Sequence, residues 1–178
     1  KIVIQDPRSS ISGLALLLWV KAVFGDEAQA AWEKLAPKIL TVTKGWSEAY
    51  GLFTEGEADM VLSYTTSPAY HIVAEGDLTK KAVIFPEGHY LMVELAAKLS
   101  ATDNPELADA FLAFILTDTF QNLIPEGNWS LPAALSASEW PKAFQELPLP
   151  DKVLFYSEEE AASLRDVAIE EWRRALSK

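Results

Sequence analysis

The first part of the chain alternates short apolar runs with longer stretches of helical character. Apolar and β-branched runs predict strands at 2–4, 39–43 and 60–64. Helical periodicity predicts helices over 14–24, 27–36, 46–54 and 67–74. Gly25, Pro37 and Gly56 mark the ends of the first three. Asp26 is the expected cap of the second, and the fourth begins at the N-cap pair Ser67-Pro68. Strands that alternate with helices are typical of βαβ units, so we expect an α/β fold with a parallel, doubly wound sheet.

After Gly76 the alternation stops. Two strands, 82–85 and 90–94, are predicted on either side of Pro86-Glu87-Gly88. Helices are expected over 106–116 and 118–124, the second ending at Pro125, and the Pro- and Ser-rich stretch 125–150 is expected to be irregular. A strand at 153–156 precedes a helix that begins after an N-cap at Ser157 and runs to Leu176.

Composition narrows the function classes. The chain has 178 residues, a formal net charge of −11 and no cysteine. Such an acidic chain lacks the basic face of nucleic-acid-binding proteins and of proteins that dock on anionic lipid, and it suits cationic or neutral ligands. Disulfides and thiolate metal sites are excluded.

The longest apolar run, 14–20, is too short to span a bilayer. The opening Lys1-Ile2-Val3-Ile4 indicates a strand rather than a secretory signal, so we expect the chain to begin within a longer protein.

The candidate chemistry lies in three strand-to-helix loops, 5–13, 44–48 and 64–70. Each follows a predicted parallel strand, and ligands of open α/β sheets bind at the carboxyl ends of the strands. The loops supply hydroxyls and helix N-termini, which suit phosphate or other acceptors, and two of them add aromatic rings that can stack on a flat ligand. Each feature also has a structural interpretation: serines cap helices, and tryptophans pack in cores.

Catalytic patterns are sparse. His71 and His89 are the only histidines, and no nucleophile elbow, zinc-protease helix, Walker loop or complete dinucleotide-binding glycine motif occurs. We therefore expect a binding protein rather than an enzyme, with no resident cofactor and no metal site.

Three segments, 44–53, 62–71 and 121–129, resemble the periplasmic thiamine-binding proteins of thiamine ABC transporters, a family of solute-binding proteins whose N-terminal part the chain would lack. The resemblance implies a solute-binding-protein fold: one parallel doubly wound lobe, plus the C-terminal portion of the other lobe. It assigns 1–80 to an α/β lobe carrying the three ligand-binding loops, and 81–178 to hinge crossover strands and a C-terminal helical part that contributes to both lobes.

The resemblance further implies a cargo of thiamine or its phosphates, a membrane permease as partner, a monomeric full-length protein, and a periplasmic location, or a membrane-anchored extracytoplasmic one in other envelopes. Carried over by position, the ligand-binding residues are Ser10, Ile11, Trp46, Tyr64, Thr65, Thr66, Ser67, Tyr70 and Trp129. The family has Thr where this chain has Ile11, so Ile11 can offer a backbone N–H but no hydroxyl. Aromatic faces attract the thiazolium cation, and hydroxyls with helix N-termini suit the tail.

Two alternatives remain open. A binding protein of the same fold could carry ferric ion or a polyamine, although the tyrosines are not spaced as a ferric site requires and the loops hold few carboxylates. An enzyme that uses thiamine diphosphate would need a Mg²⁺–diphosphate site and a group that activates the cofactor, and neither is visible in the sequence.

Overall fold

The computed structural model describes residues 1–177. The chain forms two compact units and passes between them repeatedly. The first unit comprises Lys1–Ser63, Ile84–Met92 and the C-terminal segment from Pro150, and the second comprises Tyr64–Val83 and Val93–Leu149. In sequence order the strands are β1 (Ile2–Gln5), β2 (Ile39–Thr43), β3 (Met60–Val61), β4 (His89–Tyr90) and β5 (Val153–Leu154). The helices are α1 (Ile11–Phe24), α2 (Ala28–Leu35), α3 (Trp46–Thr54), α4 (Ser67–Tyr70), α5 (Pro105–Phe114), α6 (Asp118–Gln121), α7 (Ile124–Asn128), α8 (Lys142–Gln145) and α9 (Glu158–Leu176).

The first unit is built on a parallel sheet with the strand order β2-β1-β3. Consecutive residues of the central strand point to opposite faces. Ile4 joins a core with Leu17, Trp32 and Trp172 from α1, α2 and α9, whereas Val3 joins Ala49 of α3. Helices therefore cover both faces of the sheet, which confirms the doubly wound parallel arrangement.

The remaining strands of this unit form a separate parallel pair, in which His89 is opposite Val153. Gly88 adopts a left-handed φ of 101°, and a Cβ at this position would lie 2.7 Å from the Lys152 carbonyl oxygen. Only glycine allows the backbones to approach so closely here. The indole of Trp19 donates to the Gly88 carbonyl at 2.7 Å and ties the pair to α1.

The second unit has a smaller core. Ala69, Phe144 and Leu147 are buried in it. Gln121 is also buried; its Nε2 donates to the Ile115 carbonyl at 2.7 Å, and its Oε1 accepts from the Ala134 N–H at 3.0 Å. The buried amide thus fixes the chain before α6 to the segment that follows α7.

Several predicted elements need correction. Residues 82–85 form no strand, since the Gly88 N–H bonds to the Phe85 carbonyl in a turn and only 89–90 finds a partner strand. The strands predicted at 60–64 and 153–156 are shorter, at 60–61 and 153–154. Asp26 lies in a 3₁₀ turn and does not cap α2.

The helical predictions in the second unit also need correction. Ser67 is the first residue of α4 rather than its cap, and the helix widens to a π-turn over His71–Glu75 before ending at left-handed Gly76. Pro125 lies in the first turn of α7 instead of ending the preceding helix, because proline is tolerated where an N–H has no intrahelical partner. The stretch 125–150 contains the short helices α7 and α8.

The compact units have bounds different from the predicted division at 80/81, and the assignment of segments to the lobes of a larger protein stays a prediction. Within residues 1–177, no helix combines the length and the apolar character needed to cross a bilayer.

Candidate functional site

The first loop, between β1 and α1, is held by its own backbone and by Asp6. The Asp6 carbonyl accepts from the N–H groups of Ser9 and Ser10, and the Asp6 carboxylate accepts from the Arg8 N–H at 2.8 Å. The hydrogen-bonded Arg8 guanidinium lowers the pKa of the Asp6 carboxyl, although partial burial opposes the shift. Ser10 has extended backbone angles and caps α1, its Oγ accepting from the Gly13 N–H at 3.4 Å. Ile11 begins the helix and is 75% exposed.

The second loop lies beside the first. The Ser9 hydroxyl donates to the Lys44 carbonyl at 2.7 Å, and the Asp6 N–H donates to the Thr43 carbonyl at 2.9 Å. These bonds join the carboxyl ends of β1 and β2. The structure therefore places the first two predicted loops side by side at one edge of the sheet.

Trp46 is the first residue of α3 and is partly buried. Its indole Nε1 donates to Ser63 Oγ at 2.9 Å, and its ring stacks on Tyr50 with centroids 4.4 Å apart and planes 24° apart. Ser63 follows β3, so the indole spans from the second loop to the end of the third strand. Both contacts restrict the indole, which gives it the fixed orientation that a stacking platform requires.

The third loop, in the second unit, is a tight turn. The Ser67 N–H donates to the Tyr64 carbonyl at 3.0 Å, and the Ser67 Oγ accepts from the Tyr64 N–H at 3.3 Å. Tyr64 is 43% exposed, Thr65 is partly exposed and Thr66 is buried. The turn holds Tyr64 at the surface, whereas the burial of Thr66 leaves its side chain little access to a ligand.

Tyr70 and Trp129 come together in the second unit, although 59 positions separate them in the chain. Their rings meet edge to face, with centroids 5.1 Å apart. Trp129 has a left-handed φ of 52°, which is uncommon for a bulky residue and costs about 1–3 kcal/mol. Behind it lies Phe144, whose fully buried ring is nearly parallel to the indole. Tertiary packing thus maintains a backbone conformation that the local sequence disfavours.

The ring of buried His71 also lies edge to face with the Tyr70 ring, with centroids 5.2 Å apart. Nδ1 of His71 lies 2.6 Å from a Glu75 carboxylate oxygen. A ligand atom of Asp77 lies within 4.8 Å of ligand atoms of both residues, so this group could approach a metal ion. Hydrogen bonds from Thr79 lower the pKa of the Asp77 carboxyl. The contact with Glu75 restrains the His71 ring that lies beside Tyr70, which is a structural role for the pair.

The predicted residues divide between the two units: Ser10, Ile11 and Trp46 belong to the first, and Tyr64, Thr65, Thr66, Ser67, Tyr70 and Trp129 to the second. Their contacts with a ligand stay predictions. Sequence reasoning missed the residues that support them: Ser63, His71 and Phe144. The position of His71 directly after Tyr70 was a usable signal, but nothing in the sequence connects Phe144 to Trp129.

The chain is similar to known proteins of one family. Residues 12–122 match the model of the bacterial extracellular solute-binding protein family. Over its whole length the chain is 54% identical to the thiamine-binding periplasmic protein of Brucella abortus and 52% identical to that of Escherichia coli K12. It covers 53% and 54% of those proteins, so it spans about half the length of the curated relatives it matches.

A solved structure, that of a periplasmic thiamin binding protein, matches the fold with a TM-score of 0.93 and 52% identity. The match covers 100% of this chain and 55% of the other. The relatives are named as binding proteins, and the predicted solute-binding α/β fold is confirmed. The matched family model and the fold lead to one conclusion: the chain belongs to the bacterial extracellular solute-binding proteins.

Proposed function

We propose that this chain is the part of an extracytoplasmic solute-binding protein that captures thiamine, thiamine phosphate or thiamine diphosphate. The cargo would then pass to the permease of an ABC importer. In this proposal the protein acts outside the cytoplasm, in the periplasm where an outer membrane exists, and works as a monomer without catalysing a reaction. The observation that carries the proposal is the identity of 52–54% with proteins named for thiamine binding, sustained over the whole chain.

The side chains supply chemistry that fits this cargo. Trp46, Tyr64 and the pair Tyr70–Trp129 offer aromatic faces, which attract a thiazolium cation and stack on an aminopyrimidine. The net charge of −11 raises the local concentration of a cation. The first loop offers a capped helix N-terminus and hydroxyls for the polar tail.

Titration calorimetry of the full-length protein that contains this chain tests the proposal, with thiamine, thiamine phosphate and thiamine diphosphate as ligands. Spermidine and ferric citrate represent the competing cargo classes. We expect saturable binding of the thiamine compounds and none of the other two. Binding of spermidine or ferric ion in preference to thiamine would contradict thiamine as the cargo and would identify the preferred compound instead. Conversion of thiamine diphosphate to another product would contradict the non-enzymatic role.

Trp46→Ala provides the site variant and Phe24→Ala its matched control. Phe24 is an exposed aromatic residue of the same unit at the far end of α1, roughly 20 Å from Ile11 at 1.5 Å per residue. Only the first substitution is expected to weaken thiamine binding. Equal losses in both would show that the aromatic loss acts through general stability.

A further inference from the structure

A buried series of hydrogen bonds through Gln5, Ser12 and Ser10, the relay, connects the end of β3 to the cap of α1. Nε2 of Gln5 donates to the Leu62 carbonyl at 3.1 Å. Oε1 of Gln5 accepts from the Ser12 hydroxyl at 2.7 Å, and the oxygens of Ser12 and Ser10 lie 2.9 Å apart. Gln5 is 1% exposed and Ser12 is 4% exposed, so water has little access to this relay. None of the predicted ligand contacts accounts for these two buried polar residues.

The chemistry of the groups orders the protons along the relay. A backbone carbonyl only accepts, so the Gln5 amide must turn its nitrogen toward Leu62 and its oxygen toward Ser12. That amide oxygen also only accepts, so Ser12 must donate to it. A hydroxyl has a single proton, and Ser12 can then join Ser10 only as an acceptor. The Ser10 hydroxyl therefore donates inward, to Ser12.

This order leaves Ser10 with acceptor capacity only. The Gly13 N–H already donates to its oxygen at 3.4 Å. A hydroxyl oxygen carries a second lone pair, which a ligand donor such as a hydroxyl or amino group can use. A phosphate near pH 7 carries a charge of about −1.5 to −2, and its ionised oxygens accept hydrogen bonds rather than donate them.

We propose that Gln5 and Ser12 are positioning residues that set ligand specificity by holding the Ser10 hydroxyl as an acceptor. Ser10 then selects an uncharged donor group of the ligand over an ionised phosphate. This inference rests on the proposed binding of thiamine compounds. It changes the chemistry expected of the first loop: a phosphorylated ligand would use backbone N–H groups at the helix N-terminus instead of the Ser10 hydroxyl.

The test compares the affinities for thiamine and thiamine phosphate in four forms of the full-length protein that contains this chain: wild type, Ser12→Ala, Ser10→Ala and the double variant. Removing the Ser12 oxygen frees the Ser10 proton to donate to a phosphate. We expect Ser12→Ala to raise the affinity for thiamine phosphate relative to thiamine by about tenfold, as a hydrogen bond to a charged group replaces a neutral one. In the Ser10→Ala background the same substitution should leave the ratio unchanged.

An unchanged ratio in Ser12→Ala, or the same shift without Ser10, would overturn the proposal. Gln5→Met is the second variant if Ser12→Ala does not fold. It removes the acceptor that holds the Ser12 proton, Ser12 can then donate to Ser10, and the ratio should shift in the same direction. A purely structural role for either residue would weaken both ligands equally.

Neutron diffraction from deuterated crystals of the ligand-free chain reads the proton order without any ligand. Deuterium on the Ser10 oxygen directed at Ser12 supports the relay, and deuterium directed away from Ser12 overturns it. The two experiments also separate the two proposals. Absence of binding to either thiamine compound contradicts the proposed function, whereas binding with an unshifted ratio contradicts the role of Gln5 and Ser12 alone.

Discussion

The indole of Trp129 lies nearly parallel to the ring of Phe144, with planes 10° apart and centroids 6.4 Å apart. Phe144 is fully buried, whereas Trp129 is partly buried and left-handed. The buried ring therefore supports a candidate ligand contact whose backbone conformation is intrinsically unfavourable.

Phe144→Ala should remove that support. The lost burial and the resulting cavity are expected to lower the free energy of unfolding by about 3–5 kcal/mol, measured by urea denaturation. Phe111→Ala is the control, because Phe111 is 53% exposed on α5 and its truncation leaves no internal cavity. Similar losses in the two variants would show that Phe144 is not a principal core residue of the second unit.

Trp46→Ala should weaken thiamine binding by about 1–3 kcal/mol, by analogy with the stacking of nucleic-acid bases on aromatic rings. Trp46→Phe keeps a ring beside Tyr50 but loses the hydrogen bond to Ser63, so we expect a smaller loss. Calorimetric titration gives the affinities, and thermal melts give the stability. A large drop in melting temperature with unchanged affinity would identify Trp46 as a structural residue only.

Two helical glycines should respond to alanine in opposite directions. A Cβ on Gly13 would lie 2.5 Å from the Gln5 carbonyl oxygen, since α1 begins directly against β1. We expect Gly13→Ala to lower the free energy of unfolding by about 1–3 kcal/mol. A Cβ on Gly51 of α3 would meet nothing within 4 Å, so Gly51→Ala should stabilise by about 0.5–1 kcal/mol. Chemical denaturation gives the free energy of unfolding of both variants. If Gly13→Ala left that free energy unchanged, it would contradict the close approach of α1 to β1.

The start of α9 should be sensitive to acid. The Ser157 side chain accepts from the Glu160 N–H, and the Glu160 carboxylate accepts from the Ser157 N–H at 2.8 Å and from its hydroxyl. These bonds lower the pKa of Glu160 below its ordinary value of 4.5. Its contribution to stability is therefore present above pH 4.5 and is lost as the pH falls through the lowered pKa.

Ser157→Ala should cost about 1 kcal/mol at neutral pH, and the difference from wild type should shrink as Glu160 becomes protonated. Unfolding measured between pH 2 and pH 7 tests this expectation. Ser163→Ala, on the same helix, removes a hydroxyl that donates only to the Glu160 carbonyl and should show no such pH dependence. A pH-independent effect of Ser157→Ala would show that the stabilisation by the Ser157 cap does not depend on the charge of Glu160.

The sequence by itself determined the elements that depend on local signals. The bounds of β2, α3 and α9 agree with the prediction, because β-branched residues, helical periodicity and the Ser157–Glu160 cap act within a few residues of one another. The alternation of strands and helices also predicted the parallel sheet, and the loop motifs carried the resemblance to thiamine-binding proteins.

Only the tertiary structure decided which residues meet across the chain. The strand predicted at 82–85 has no partner and does not form, since a strand is stabilised by pairing rather than by its own residues. Phe144 supports Trp129, and Gln5 orders the proton of Ser10 through Ser12, although no periodicity or spacing encodes either relationship. Such contacts arise from the packing of distant segments, and they determine the orientation and the hydrogen-bonding direction of side chains whose types alone were visible in the sequence.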